Sequence, residues 1–121
     1  MASIQKIHPV IMSSDVSKTI HFLTTLGFEI TFQDNPKAPA YAGMSRDAAE
    51  VHIQWNDLSE LPVNTDRPTL RFVVNDVDEL AKELTEKGLS EIEPFSTSWG
   101  TYEFHLQDHD GNGYQFYTDQ E

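Results

Sequence analysis

The sequence predicts an α+β fold in which two tandem βαβββ modules form a curved mixed sheet with one concave face. Three observations carry that expectation. Sliding the 121-residue chain by 61 positions superposes residues 8–56 on 69–117 without a gap, with identities at Asp15/Asp76, Val16/Val77, Leu23/Leu84, Thr24/Thr85, Gly27/Gly88, Tyr41/Tyr102, Asp47/Asp108 and Gln54/Gln115. In each half an apolar, β-rich run is followed by an aspartate, a stripe of apolar residues at helical spacing and a glycine. Behind each glycine lie about 27 residues of alternating and aromatic character, room for three short strands.

Taken in order, Ile7 to Met12 reads as the first strand and Asp15 as the cap of a helix near 15–26, whose apolar stripe is Val16, Ile20 and Leu23. Gly27 ends that helix in a left-handed conformation. Strands follow at Phe28 to Phe32, Tyr41 to Ser45 and Val51 to Trp55. The second half repeats the plan: a strand from Leu70 to Val74, then a helix near 76–87 with Val77, Leu80, Ala81 and Leu84 on its stripe. Asp76 with Glu79 makes a capping-box arrangement, and Gly88 closes the helix. Leu89 to Phe95, Tyr102 to Leu106 and Tyr114 to Tyr117 are its strands, the last preceded by a tight turn at Asp110-Gly111-Asn112-Gly113. One such unit cannot cover its own sheet, so a single domain over 1–121 is expected, with modules at 4–56 and 69–118 and a linker at 57–68. A ferredoxin-like βαββαβ arrangement would leave one strand in each half unexplained.

Charge and composition narrow the function. Eight basic residues against 20 acidic ones give a net charge of −12, which repels phosphate backbones and anionic membranes, so neither nucleic acid nor membrane is an expected partner. The excess is uneven, −3 over residues 1–60 and −9 over 61–121. No apolar run approaches the roughly 20 residues of a membrane span, and the N-terminus lacks a secretory pattern, so a cytoplasmic location is expected. Without cysteine there is no disulfide, thiolate nucleophile or Cys-type metal site.

Three strings now carry a family resemblance: Ile20-His21-Phe22-Leu23-Thr24-Thr25-Leu26-Gly27-Phe28; Tyr41-Ala42-Gly43-Met44-Ser45-Arg46-Asp47 with Glu50-Val51-His52-Ile53; and Asp108-His109-Asp110-Gly111-Asn112-Gly113-Tyr114-Gln115-Phe116. With the duplicated βαβββ plan, the chain resembles the vicinal oxygen chelate superfamily, which includes glyoxalase I, extradiol dioxygenases, fosfomycin-resistance enzymes and bleomycin-resistance proteins. The third string is the most specific, although His109 replaces a proline common in the family. The second string, Trp99-Gly100 and the acidic balance are most similar to the bleomycin-resistance branch.

That resemblance implies a concave ligand cleft, two chains as the active unit and, in metal-dependent members, one ion held by the first and last strands of each half. By position those places fall to His8, Gln54, Thr69 and Gln115. A neutral amide is a weak ligand and threonine a weaker one, so no resident metal, no cofactor and no catalytic residue are expected. His52 shares a face with Gln54 by strand alternation, which leaves a two-histidine site with His8 as the alternative. Arg71 follows Thr69 by two and either contacts ligand or pairs with a carboxylate such as Glu103; Gln54 and Gln115 either line the site or bond each other. Trp99, Tyr102, Tyr41, Phe32 and Tyr117 are read as loop-proximal rings that can stack on a planar ligand or a cation, whereas Trp55, Phe116, Ile53 and Tyr114 are read as core. His21 is expected in solvent, His109 in its turn, and the side of His105 stays open.

The expected ligand-binding set is therefore His8, His52, Gln54, Arg71, Trp99, Tyr102, Gln115 and Tyr117. The function expected from the resemblance is metal-free sequestration of a cationic or heteroaromatic small molecule in the cleft of a homodimer. The alternatives are a metal-dependent glyoxalase- or dioxygenase-type enzyme acting on a small carbonyl or catechol, and a binding module for an unrelated small molecule.

Overall fold

The computed structural model describes residues 1–62 and 66–120, and its chain falls into two compact units, Met1–Asn64 and Thr65–Glu121. The first contains β1 (Val10–Ser13), α1 (Val16–Thr25), β2 (Glu29–Gln33), β3 (Tyr41–Arg46) and β4 (Ala49–Trp55). Its sheet has the order β1-β4-β3-β2, with β1 parallel to β4 and the other pairs antiparallel. The second contains β5 (Thr69–Val73), α2 (Val77–Glu86), β6 (Phe95–Ser96), β7 (Thr101–Gln107) and β8 (Gly113–Asp119), in the order β5-β8-β7-β6. The fold is thus α+β, two βαβββ modules each with a four-stranded mixed sheet. Residues 63–65 of the expected linker at 57–68 lie outside the described residues. No helix among the described residues is long and apolar enough to cross a membrane.

Both helices start and stop where local chemistry dictates. Asp15 accepts from the Lys18 amide at 3.3 Å and Asp76 from the Glu79 amide at 3.0 Å, each satisfying a donor that has no partner inside the helix. Gly27 (φ 90°) and Gly88 (φ 99°) occupy the left-handed conformation just past the last turn. In the first unit Val16 and Leu23 bury their side chains with Ile11, Ala42, Met44, Val51 and Ile53; in the second Val77, Leu80, Ala81 and Leu84 do so with Phe104, Tyr114 and Phe116. Fully burying one such chain is worth about 1.5–3 kcal/mol, and together they fix which face of each sheet the helix covers.

Four local expectations are corrected. β1 begins at Val10 because Pro9 has no amide to donate. Of the expected Leu89 to Phe95 only Phe95 is in β6, which is Phe95–Ser96: Pro94 breaks the donor row, and Glu91 and Glu93 are exposed. Trp55, the last residue of β4, is 52 % exposed and lies outside the core that holds Ile53, Tyr114 and Phe116. The fourth concerns register. Arg46↔Ala49 closes the β3–β4 hairpin over two residues, whereas Gln107↔Gly113 closes β7–β8 over five. The gapless repeat therefore fails in the last strands. His52 stands opposite Val10 as Gln115 stands opposite Arg71, so the counterpart of Gln115 is His52 and not Gln54.

Candidate functional site

In each unit the helix covers one face of the sheet, and period-two alternation sends the remaining side chains to the other. On the helix-free face of the first sheet, parallel pairing of β1 with β4 sets His52 beside Val10 and carries His8 to Glu50. His52 Nε2 lies 2.9 Å and His8 Nε2 3.5 Å from the same Glu50 oxygen, Oε2. The two imidazoles stack with centroids 4.6 Å apart and planes 20° from parallel. On its far side His52 Nδ1 meets the Tyr41 hydroxyl at 2.9 Å, and the Phe32 ring approaches edge-on at 5.2 Å. Gly43 makes room for that ring, since a Cβ there would collide with Phe32 and come 2.6 Å from the Thr31 hydroxyl.

The hydrogen bond from His52 opposes the desolvation penalty and, with the charges of His8 and Lys6, holds the Glu50 carboxyl below its ordinary range. His8 and Glu50 line an open recess of about 500 Å³ together with Lys6, Ile7, Ser45, Asp47, Ala48 and Ala49. His8 Nδ1 is buried and has no hydrogen-bond partner among the described residues. Glu50 was not singled out by the sequence reading. Its signal was the Glu50-x-His52 spacing on a strand, which places both side chains on one face.

The helix-free face of the second sheet is built on different chemistry. Glu103 is buried with no exposed surface, yet both its oxygens are engaged: Oε1 by His105 Nε2 at 2.7 Å and Arg71 Nη1 at 3.4 Å, Oε2 by Thr101 Oγ1 at 2.8 Å and Arg71 Nη2 at 3.1 Å. Burial pushes its carboxyl up, but the Arg71, His105 and Thr101 bonds outweigh it and bring the pKa to about 2. Arg71 also donates to the Gln115 amide oxygen and lies 4.1 Å above the Tyr117 ring. His105 faces this side, across the pleat from Phe104.

Among the expected ligand-binding residues, the structure brings His8 and His52 together, with Gln54 exposed farther along the same face, and separately joins Arg71, Gln115 and Tyr117. Trp99 lies in the turn between β6 and β7 and is 69 % exposed. Tyr102 stands on the helix side: its phase is that of Phe104, and its hydroxyl donates to Asp78 in the first turn of α2 at 2.7 Å, which raises the tyrosine's pKa. Tyr41 and Tyr102 match in the repeat but face opposite sides, because β7 is one residue out of phase with β3. The Asp108-His109-Asp110-Gly111-Asn112 segment is a structural turn. The Asp108 carboxylate accepts from the Asp110 and Asn112 amides and from the buried Tyr114 hydroxyl, 2.7 Å away.

The positions that the resemblance assigns to a shared metal do not suit one. Thr69 and Gln115 offer only neutral oxygens, and the Gln115 oxygen accepts from the Arg71 guanidinium, a fixed cation beside any ion placed there. In the first module the donors that suit a divalent ion are His8, which holds one of those positions, His52, the counterpart of Gln115, and Glu50, whose ligand atoms all lie within 4.8 Å of one another.

Two βαβββ modules, each with a helix on one face of a four-stranded mixed sheet, define the class of fold. The chain belongs to the Glyoxalase/Bleomycin resistance protein/Dioxygenase superfamily, whose model matches residues 6–116. Among solved structures it is similar to a bleomycin-binding protein complexed with bleomycin (TM-score 0.80, 20 % identity, 97 % of this chain and 100 % of that one). It is also similar to a bleomycin resistance determinant encoded on the transposon Tn5 (0.79, 20 %, 98 % and 100 %). A third is a bleomycin-binding protein from Streptomyces verticillus complexed with copper(II)-bleomycin (0.74, 25 %, 100 % of each chain). No curated protein sequence matches the chain.

Proposed function

We propose that this protein sequesters a cationic or heteroaromatic small molecule, in the manner of the bleomycin-binding relatives, by binding alone. The observation that supports the reading is the Arg71–Gln115 bond, which sets a guanidinium beside one of the positions that the resemblance assigns to a metal. Ligand binding is then independent of a resident metal, and the working unit is a homodimer whose cleft receives the ligand. His8, His52, Gln54, Arg71, Gln115 and Tyr117 supply polar and aromatic contacts from the two helix-free faces. Trp99 supplies an exposed ring, and Tyr102 is the member of the set whose polar atom is already committed to Asp78.

The test is calorimetric titration with bleomycin, in chelator, alongside sedimentation of the free and bound protein. Saturable binding by a dimer, with bleomycin recovered unaltered, is expected; absence of binding, or a chemically changed product, overturns the reading. The enzyme alternative has one observation in its favour, the His8–Glu50–His52 cluster.

A further inference from the structure

We propose that the helix-free face of the second module binds a small planar aromatic carboxylate, with Arg71 receiving the carboxyl group and Tyr117, His105 and Phe95 flanking the ring. The site does not rest on the ligand reading above, and it is an anion site in a chain of net charge −12. What makes it one is the order of burial. Glu103 has no exposed surface and both its oxygens are filled, whereas the Arg71 side chain that pairs with it is 37 % exposed. The anion is turned inward and the cation outward. A guanidinium carries five N–H donors in a fixed fork. Glu103 and Gln115 occupy both hydrogens of Nη1 and one of Nη2, which leaves the edge formed by Nε and the second Nη2 hydrogen. Two parallel donors on one edge match the two oxygens of a carboxylate.

The surroundings favour an organic anion over an inorganic one. The Arg71 guanidinium lies 4.1 Å from the centre of the Tyr117 ring. Phe95, directly opposite Glu103 on β6, is exposed and meets the His105 ring edge-on at 5.1 Å. An exposed apolar ring gains by packing on another ring, whereas a hydrated phosphate gains nothing from it. Glu103 holds His105 through Nε2 and Arg71 through both Nη atoms, so one buried carboxylate fixes both side chains and little freedom is lost on binding. Other carboxylates oppose an anion weakly. Asp119, opposite Thr101, stands four residues along β8 from Gln115, about 13 Å at strand spacing and beyond the screening length of about 8 Å. Glu93, two residues before Phe95, is exposed, where salt screens it. The first module lacks the device: its register places Val10, Tyr41 and Gly43 where the second has Arg71, Glu103 and His105. One site per chain follows.

Isotope-labelled protein would be titrated with benzoate, with benzylamine, a cation of like shape at neutral pH, and with inorganic phosphate, while NMR follows the Arg71 Nε signal and the ring resonances of Phe95, His105 and Tyr117. The expected result is one benzoate per chain, with saturable shifts of all four side chains; benzylamine and phosphate leave them in place. Arg71→Lys keeps the charge but loses the fork, and weakens benzoate binding by about tenfold. Phe95→Ala weakens it by about fivefold. Lys6→Gln, which removes an exposed cation of the first module, leaves it unchanged. Circular dichroism checks that each variant is folded; Phe95→Ala, at an exposed position, keeps the test available if Arg71→Lys is not. No saturable shift with benzoate, equal binding of benzylamine or phosphate, undiminished affinity in Arg71→Lys or Phe95→Ala, or loss on Lys6→Gln overturns the proposal. Bleomycin titration tests the sequestration reading separately, so that either can fail without the other.

Discussion

At Glu103 a single carboxylate sets the character of the second module. A fully buried carboxylate is tolerable only because Arg71, His105 and Thr101 occupy its lone pairs. Removing the guanidinium leaves a buried anion with two partners. Arg71→Met is therefore expected to lower stability by about 3 kcal/mol, the low end for breaking a buried pair, since Arg71 is 37 % exposed and partly hydrated. Urea unfolding at neutral pH measures it. The same residue predicts a pH dependence. Its folded pKa, about 2, lies below the ordinary 4.5, so the unfolded chain takes up the proton first as pH falls. The stabilisation is complete above about 4.5 and drains away between there and about 2. Urea midpoints followed down through that window are expected to fall steeply in the wild type and less steeply in Glu103→Gln; equal slopes would show that Glu103 titrates normally.

The elements divide into those set by local chemistry and those set by distant pairing. Each helix begins at an aspartate whose side chain meets a free amide and ends before a left-handed glycine, and both run between residues 61 positions apart. Such signals lie within a few neighbouring residues, which is why the helices were legible in the sequence. Asp76→Ala is accordingly expected to cost about 1 kcal/mol, measurable by thermal or urea unfolding. Strand register was not legible. It depends on how many residues a hairpin spends in its turn, and a one-residue slip exchanges the two faces. Tyr102 consequently joins the helix side, and the counterpart of Gln115 moves from Gln54 to His52. Glu50 and His52 share a face by alternation alone, whereas His8 required the parallel β1–β4 register to bring it to them. Gly43 illustrates the same non-locality. Its missing side chain matters because Phe32 and Thr31, on the neighbouring strand, lie across it. Gly43→Ala is expected to destabilise by about 1–3 kcal/mol through overpacking and to displace the Phe32 ring from His52, seen as a shift of the His52 imidazole resonances in NMR spectra.

For the whole molecule, the charge of −12 is the property read most directly from sequence, and its purpose is the one least fixed by the fold. An acidic protein attracts a cationic ligand from solution, but acidic surfaces also serve simply to prevent association. Salt separates the two. Exposed charges interact over about 8 Å at physiological ionic strength and about 3 Å at 1 M, so attraction that depends on net charge fades with added salt. Stacking on a ring does not, because apolar contact and ring polarisability are insensitive to screening. Trp99, 69 % exposed at the β6–β7 turn, is the ring best placed to stack with a ligand from solvent. Bleomycin titrated at low and at high salt is therefore expected to bind more weakly in the second case. Trp99→Ala is expected to lose about 1 kcal/mol or more in both. If affinity is salt-independent, the acidic charge serves solubility; if Trp99→Ala binds like the wild type, the aromatic contact lies elsewhere, on rings such as Phe32 or Tyr117 that the helix-free faces already present.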